Sequence, residues 1–212
     1  MKVYITPLAP NPRRVSWFMA EKGIDDVEVV TLNLMQGEHK TPEYLQKAGL
    51  ANVPMLELDD GTCITESLAI CRYLESRYPE PNLFGRTPEE TAVIEMWTRR
   101  AEMMVATPMM VGVRHTHPAM AALEQQQAAV GEYNLQVGTR ALKVLDRRLA
   151  ESPWLAGERL TIADIVAFVG IDFGRMIRFR VPEDLGHVAR WAETMRARPA
   201  ALAGMPQKAT AS

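Results

Sequence analysis

Every segment with the chemistry of a β-strand lies within the first 65 residues, and everything after Pro88 carries helical periodicity only. Residues 2–6 (KVYIT) and 27–32 (VEVVTL) are short runs of β-branched and aromatic residues. Val53-Pro54-Met55-Leu56-Glu57-Leu58 and Thr62-Cys63-Ile64-Thr65 flank Asp59-Asp60-Gly61, a turn that joins two strands into a hairpin. Between them, Val15, Phe18 and Met19 predict a helix from Arg13 to Lys22 that stops at Gly23. Pro7 to Pro12 holds three prolines and reads as a loop. Thr41 to Gln46 reads as a short helix with Pro42 in its first turn. Glu66-Ser67 opens another helix through Leu68, Ile70, Cys71 and Leu74, which Pro79 and Pro81 end. The order β-α-β-α-β-β-α, then helices alone, predicts an α+β chain of two parts.

The division falls as residues 1–79, a linker over 80–88, and an all-helical part over 89–212. The helical part opens with a long helix from about Glu89 to Met104, after which Pro108 and Pro118 interrupt the path. Leucines at 135, 142, 145 and 149 mark a second long helix over 126–150. Thr161 precedes the apolar helix Ile162 to Gly174 as a cap, with Asp164 on the carboxylate side of a capping box. A last helix over 185–197 ends at Arg198-Pro199, and Lys208 to Ser212 read as a mobile tail.

Composition narrows the function. A net charge of -2, with the pairs Arg13-Arg14, Arg99-Arg100 and Arg147-Arg148 scattered along the chain, gives no basic stripe for nucleic acid. Such pairs read as solvated helix faces or local ion pairs. Cys63 and Cys71 read as small buried hydrophobes. No metal-ligand spacing occurs. No run of about 18 apolar residues and no long apolar start is present, so a cytoplasmic location and no membrane partner are expected.

Two motifs carry a resemblance over nearly the whole chain. They are V-P-x-L…D-G…I-T-E-S-x-A-I at 53–70 and G-E-x-L-T-I-A-D at 157–164. The chain resembles the cytosolic glutathione transferases, a thioredoxin-like glutathione-binding domain followed by a helical domain carrying the electrophile site. The opening A-P-N-P-R-R-V with A-E-K-G resembles a fungal and bacterial subgroup lacking the usual catalytic Tyr, Ser or Cys. The resemblance implies a cis Pro54, with the Val53 backbone facing outward to pair with the cysteinyl backbone of glutathione. Glu66 would take the γ-glutamyl ammonium, and Ser67 with its helix N-terminus the carboxylate. Lys40 and His39 resemble positions contacting the glycine carboxylate; an exposed charged loop is the alternative. Asp164 resembles the buried capping aspartate of the helical domain, with a role in folding.

Aligning Arg14-Val15 with the Arg-Val of the Ser and Cys classes puts Ala9 where those classes hold their helper. Ala9 can neither donate a hydrogen bond nor form a mixed disulfide. Tyr4 lies within the strand, where it reads as core, and Ser16 lies too far along the helix. The thiolate is the nucleophile, and the N–H groups near Asn11 to Arg13, with the helix dipole, can stabilise it. A proton acceptor could come from His115 or His117, near the end of the long helix, holding a water against the sulfur; both as plain helix-end histidines is the alternative. Ala48-Gly49-Leu50-Ala51-Asn52 replaces the family's N-P-x-G before V-P.

The expected activity is conjugation of the co-substrate glutathione to a small hydrophobic electrophile. Met103, Met104, Thr107, Met110, His115 and Phe168 or Phe173 are its candidate acceptor-site residues, or else helix packing. A glutathione-dependent isomerase, lyase or dehalogenase on the same architecture stays open, as does a non-catalytic glutathione-binding interaction module. The resemblance also implies a homodimer, for which Met96, Trp97 and Met104 offer large apolar groups.

Overall fold

The structure, a computed structural model, describes residues 1–206, so the expectation for Lys208–Ser212 lies outside the described residues. The chain divides into two compact units. One is Met1–Pro81 with the described residues from Pro199 onward, and the other is Asn82–Arg198.

In the first unit, β1 (Lys2–Ile5), β2 (Glu28–Thr31), β3 (Met55–Glu57) and β4 (Cys63–Thr65) form one sheet in the order β2-β1-β3-β4. β1 runs parallel to β2, so a crossover must join them, and α1 (Pro10–Lys22) is that crossover. The other pairings are antiparallel, with Val3 opposite both Val29 and Leu56. Strand alternation sends Val3 and Ile5 inward, where Val15, Trp17 and Phe18 of α1 are also buried. α2 (Pro42–Ala48) and α3 (Ser67–Arg77) complete the unit.

α1 starts three residues earlier than the sequence suggested. Pro10 and Pro12 sit in its first turn, where the missing N–H groups have no intrahelical partner to lose. The last described segment differs from the expected division too. The turn Pro199–Leu202 lies on α1, and the Arg13 guanidinium donates to the Ala201 carbonyl at 3.1 Å.

The second unit is helical: α4 (Pro88–Arg100), α5 (Thr107–Thr116), α6 (Ala128–Glu151), α7 (Ile162–Phe173) and α8 (Gly186–Arg196). Pro108 does not end the first long helix. A π-helical segment, Ala101–Ala106, links α4 to α5, with the Thr107 N–H donating to the Glu102 carbonyl. That wider turn offsets the ladder at the point where the proline cannot donate. α7 is apolar all round and buried from Ile162 to Asp172, as a central helix must be. Its Gly170 lies so near the π segment that a Cβ there would come within 2.5 Å of Ala106 Cα.

Asp164 closes a capping box with Thr161 and accepts further hydrogen bonds from Leu155 N–H at 2.9 Å and Trp191 Nε1 at 3.1 Å. α8 has no cap of its own. Asp146 of α6 supplies one, accepting from His187 N–H and Val188 N–H at 2.9 and 3.0 Å. The architecture is α+β, a thioredoxin-like first domain followed by a helical one.

Candidate active site

The first turn of α1 determines what can be done near Ala9. A helix start leaves four N–H groups without intrahelical acceptors, but here Pro10 and Pro12 have none to offer. The Arg13 N–H is spent on the Ala9 carbonyl at 3.0 Å. Asn11 alone keeps an unpaired N–H in that turn among the described residues, so the expected row of donors from Asn11 to Arg13 shrinks to one residue. The Asn11 side chain adds to it. Its amide oxygen is buried and has no hydrogen-bond partner, and half a turn about χ2 presents the NH2 to the same place. A buried polar atom without a partner is costly unless something satisfies it.

Neither hydroxyl near this turn competes. The Tyr4 hydroxyl donates to Glu57 Oε2 at 2.6 Å, and that bond to a carboxylate raises its pKa further. Tyr4 is half-buried at the sheet rather than core. Ser16 lies nearly two turns into α1.

Across the sheet, the Val53–Pro54 bond is cis, and the Val53 N–H and C=O make no hydrogen bond among the described residues. The preceding loop is held in a way the sequence did not reveal. Tyr44 of α2 is buried, and its hydroxyl donates to the Asn52 carbonyl at 2.6 Å. Burial pushes the Tyr44 pKa up to about 12, so it stays a donor at every working pH. Its ring meets Tyr4 edge-on at 6.0 Å, while Lys47, one turn on, grips both Glu57 carboxylate oxygens at 3.1 Å. With N-P-x-G absent, this hydroxyl ties the loop to α2. Tyr44→Phe is expected to destabilise the protein by about 1 kcal/mol, the worth of one hydrogen bond. Urea unfolding of both proteins checks this, and an unchanged stability would show the loop holds without it.

Glu66 caps α3 with φ 68°, an unusual angle for a residue with a side chain, and its carboxyl is exposed. Ser67 beside it is buried, and its oxygen accepts from Arg14 Nη1 at 3.3 Å. An acceptor bond from Arg14 leaves the hydroxyl hydrogen to point elsewhere. Arg14 is 1% exposed, so the Arg13-Arg14 pair is no solvated face. This buried cation under Ser67 was missed because nothing in the sequence marks which helix face it occupies.

Lys40 is exposed, but His39 is buried, so the reading as an exposed loop fails for His39. Burial, with Lys40 adjacent, lowers the His39 pKa and leaves the ring neutral near pH 7. Its Nδ1 is buried without a hydrogen-bond partner.

His115 and His117 belong to the helical unit. Both use Nδ1 as an acceptor, from Gln127 N–H at 3.1 Å and from Ala119 N–H at 3.2 Å. A neutral ring accepting at Nδ1 carries its hydrogen on Nε2. With Nδ1 engaged, Nε2 is the atom that each ring presents outward. Among the acceptor-site candidates, Phe168 is buried edge-on against Trp191 and belongs to the core. Met103 is 61% exposed, and Met104 and Thr107 are exposed too. Cys71 is buried and its thiol pushed up, whereas Cys63 is only partly covered. Among the described residues no cluster of His, Cys, Asp and Glu could hold a metal ion.

Comparison with known proteins shows the family. The family model "Glutathione S-transferase, N-terminal domain" matches residues 1–76, and "Glutathione S-transferase, C-terminal domain" matches residues 100–199. The chain is 37% identical over 203 residues to glutathione S-transferase 2 of Saccharomyces cerevisiae, covering 94% of this chain and 87% of that one. It superposes on the crystal structure of Gtt2 from Saccharomyces cerevisiae with TM-score 0.88 at 36% identity, covering 94% and 98% of the two chains. A glutathione S-transferase domain-containing protein of Marinobacter aquaeolei matches with TM-score 0.88 at 38% identity, covering 94% and 99%.

Proposed function

The chain belongs to the glutathione S-transferase family, and from that premise we propose that it activates glutathione as a thiolate at the first turn of α1 and conjugates it to small hydrophobic electrophiles. The observation that carries the reading is the Asn11 amide oxygen, a buried polar atom left without a partner beside the one free N–H of that turn. The Asn11 N–H and NH2 donate to the sulfur, and the dipole of α1 favours its negative charge. A thiol whose pKa falls this way loses its proton to water, so no side-chain base is needed. The thiolate then attacks the electrophile, displacing a leaving group or adding to an activated double bond.

The rest of the peptide finds complementary groups in the first unit. The Val53 N–H and C=O pair with the cysteinyl backbone. The exposed Glu66 carboxylate takes the ammonium, and the Ser67 hydroxyl and first N–H groups of α3 take the γ-glutamyl carboxylate. Lys40 and the neutral His39 take the glycine carboxylate. In the helical unit, His115 and His117 serve as Nε2–H donors that stabilise an anion, and Met103, Met104 and Thr107 are accessible for an apolar substrate. Ser67→Ala is expected to weaken glutathione binding by about 1–2 kcal/mol. Titration calorimetry and turnover with a panel of electrophiles test the reading together, and a wild-type protein that neither binds glutathione nor turns over any electrophile would remove it.

The protein assembles as a homodimer in this reading. Val93, Met96 and Met104 are exposed along α4 and the π segment at spacings that share a helix face, whereas Trp97 is buried within its own unit. Light scattering at micromolar concentration is expected to give twice the chain mass. Two free thiols suit a reducing compartment, and no helix among the described residues is long and apolar enough to cross a membrane. We place the activity in the cytoplasm, as detoxification of reactive electrophiles.

A further inference from the structure

The loop between β1 and α1 contains a residue whose conformation is costly by itself. Leu8 has φ 67°, the left-handed region that side chains other than those of Gly and Asn rarely enter. Such a residue persists only where its surroundings hold it. Here the holding group comes from the far end of the chain. The Leu8 N–H donates to the Gly204 carbonyl at 3.0 Å.

Gly204 is itself constrained. Its φ is 72°, and a Cβ there would lie 3.1 Å from Ser16 Cβ and 3.3 Å from Arg13 Cα, so its backbone rests directly on α1. Two bonds within the segment, Ala203 N–H to Ala200 and Met205 N–H to Leu202, shape the turn that delivers that carbonyl. Arg13, reaching the Ala201 carbonyl, fixes the same segment from the helix side. Leu8 in turn directs the backbone into the helix. The Ala9 N–H bonds back to the Thr6 carbonyl at 3.3 Å, and the Ala9 carbonyl accepts the first hydrogen bond of α1, from Arg13. Asn11 is two residues on.

We propose that the C-terminal segment around Gly204 is part of the thiolate site: its carbonyl holds Leu8 left-handed, and so aims the first turn of α1 and the Asn11 amide at the sulfur. Gly204 and Leu8 are positioning residues, since neither touches the reacting atoms. The proposal rests on the reading that places the sulfur at Asn11. It explains why an energetically unfavourable backbone angle sits one residue before Ala9, and why the chain returns to the first unit after the helical one.

The test uses the full chain. Gly204→Val adds a branched side chain against Ser16 and disfavours the positive φ, so the carbonyl must move. The pKa of bound glutathione, read by ultraviolet titration of the thiolate, is expected to rise by about one unit, a tenfold fall in the ionisation constant of the bound thiol. Measured at a pH below the bound thiol pKa, the glutathione Kd is expected to change less than threefold, because the γ-glutamyl and glycine ends bind elsewhere. Adding Leu8→Gly to Gly204→Val should restore the low pKa, since glycine adopts the left-handed angle without help. A merely structural role for Gly204 would not produce that rescue. If Gly204→Val proves too unstable, the milder Gly204→Ala is read in the same way. A low pKa kept in both Gly204 variants, or a raised one that Leu8→Gly fails to lower, would overturn the proposal. A wild-type protein that binds no glutathione, or binds it with an ordinary thiol pKa, would instead overturn the reading of the site beneath it.

Discussion

Asp164→Ala is expected to destabilise the protein by about 3–5 kcal/mol, a large share of the stability of any domain. The carboxylate is fully buried and accepts hydrogen bonds from the Thr161 and Leu155 N–H groups, the Thr161 hydroxyl and the Trp191 indole. Alanine removes the acceptor and leaves these donors buried, at about 1–3 kcal/mol for each unsatisfied group before relaxation. It also removes the cap of α7, the helix at the centre of its unit. Burial outweighs the donors and pushes the Asp164 pKa up to about 6, from 3.8 when exposed. Between those values the native protein holds a proton that the unfolded chain has released, so this group's contribution grows as pH falls from 7 to 5. Urea unfolding of both proteins should show the gap between them wider at pH 5 than at pH 7. A gap below about 1 kcal/mol at both would show that the box contributes little.

That carboxylate was legible from sequence because capping is local: Thr161 and Asp164 are three residues apart and precede an apolar run. The hairpin, the stop at Gly23 and the apolar α7 were legible for the same reason. What was not legible depended on distance or on proline chemistry. Pro10 and Pro12 suggested a loop because proline breaks regular structure, yet the first turn of a helix is where proline fits. Pro108 suggested a helix end, and only the π segment carries the helix past it. Within the candidate site, Val53-Pro54 and Glu66-Ser67 could be read from their motifs. The Arg14–Ser67 contact, the Tyr44 tie to Asn52 and the Gly204–Leu8 bond could not, since their partners lie 53, 8 and 196 residues apart and depend on which face each element presents. The partners of His115 and His117 were not legible either, because the backbone donors at Gln127 and Ala119 that engage each Nδ1 depend on the path of the chain after α5.

Asn11→Asp should have the largest effect on activity. It exchanges an amide donor for a carboxylate of nearly equal shape and sets a second negative charge beside the thiolate. Losing a hydrogen bond to a charged group costs about 1.5–3 kcal/mol, so the bound thiol pKa should rise by about 1–2 units, at about 1.4 kcal/mol per unit. Near neutral pH that is a roughly 10–100-fold loss in kcat/KM. Asn11→Ala keeps the backbone N–H and should lose less. Equal activity in the three proteins, measured with one electrophile across pH 6 to 8, would show that the side chain does not face the sulfur.

The central claim is that the thiolate is stabilised at the first turn of α1, by Asn11 and the helix dipole, with no hydroxyl taking part. Ultraviolet titration of enzyme-bound glutathione tests it most directly, in the wild type and in Asn11→Ala, Asn11→Asp, Tyr4→Phe and Ser16→Ala. The wild-type thiol pKa is predicted to lie well below that of free glutathione, raised in both Asn11 variants and unchanged in Tyr4→Phe and Ser16→Ala. A return to the free-thiol value in Tyr4→Phe or Ser16→Ala alone, with the Asn11 variants unaffected, would contradict it.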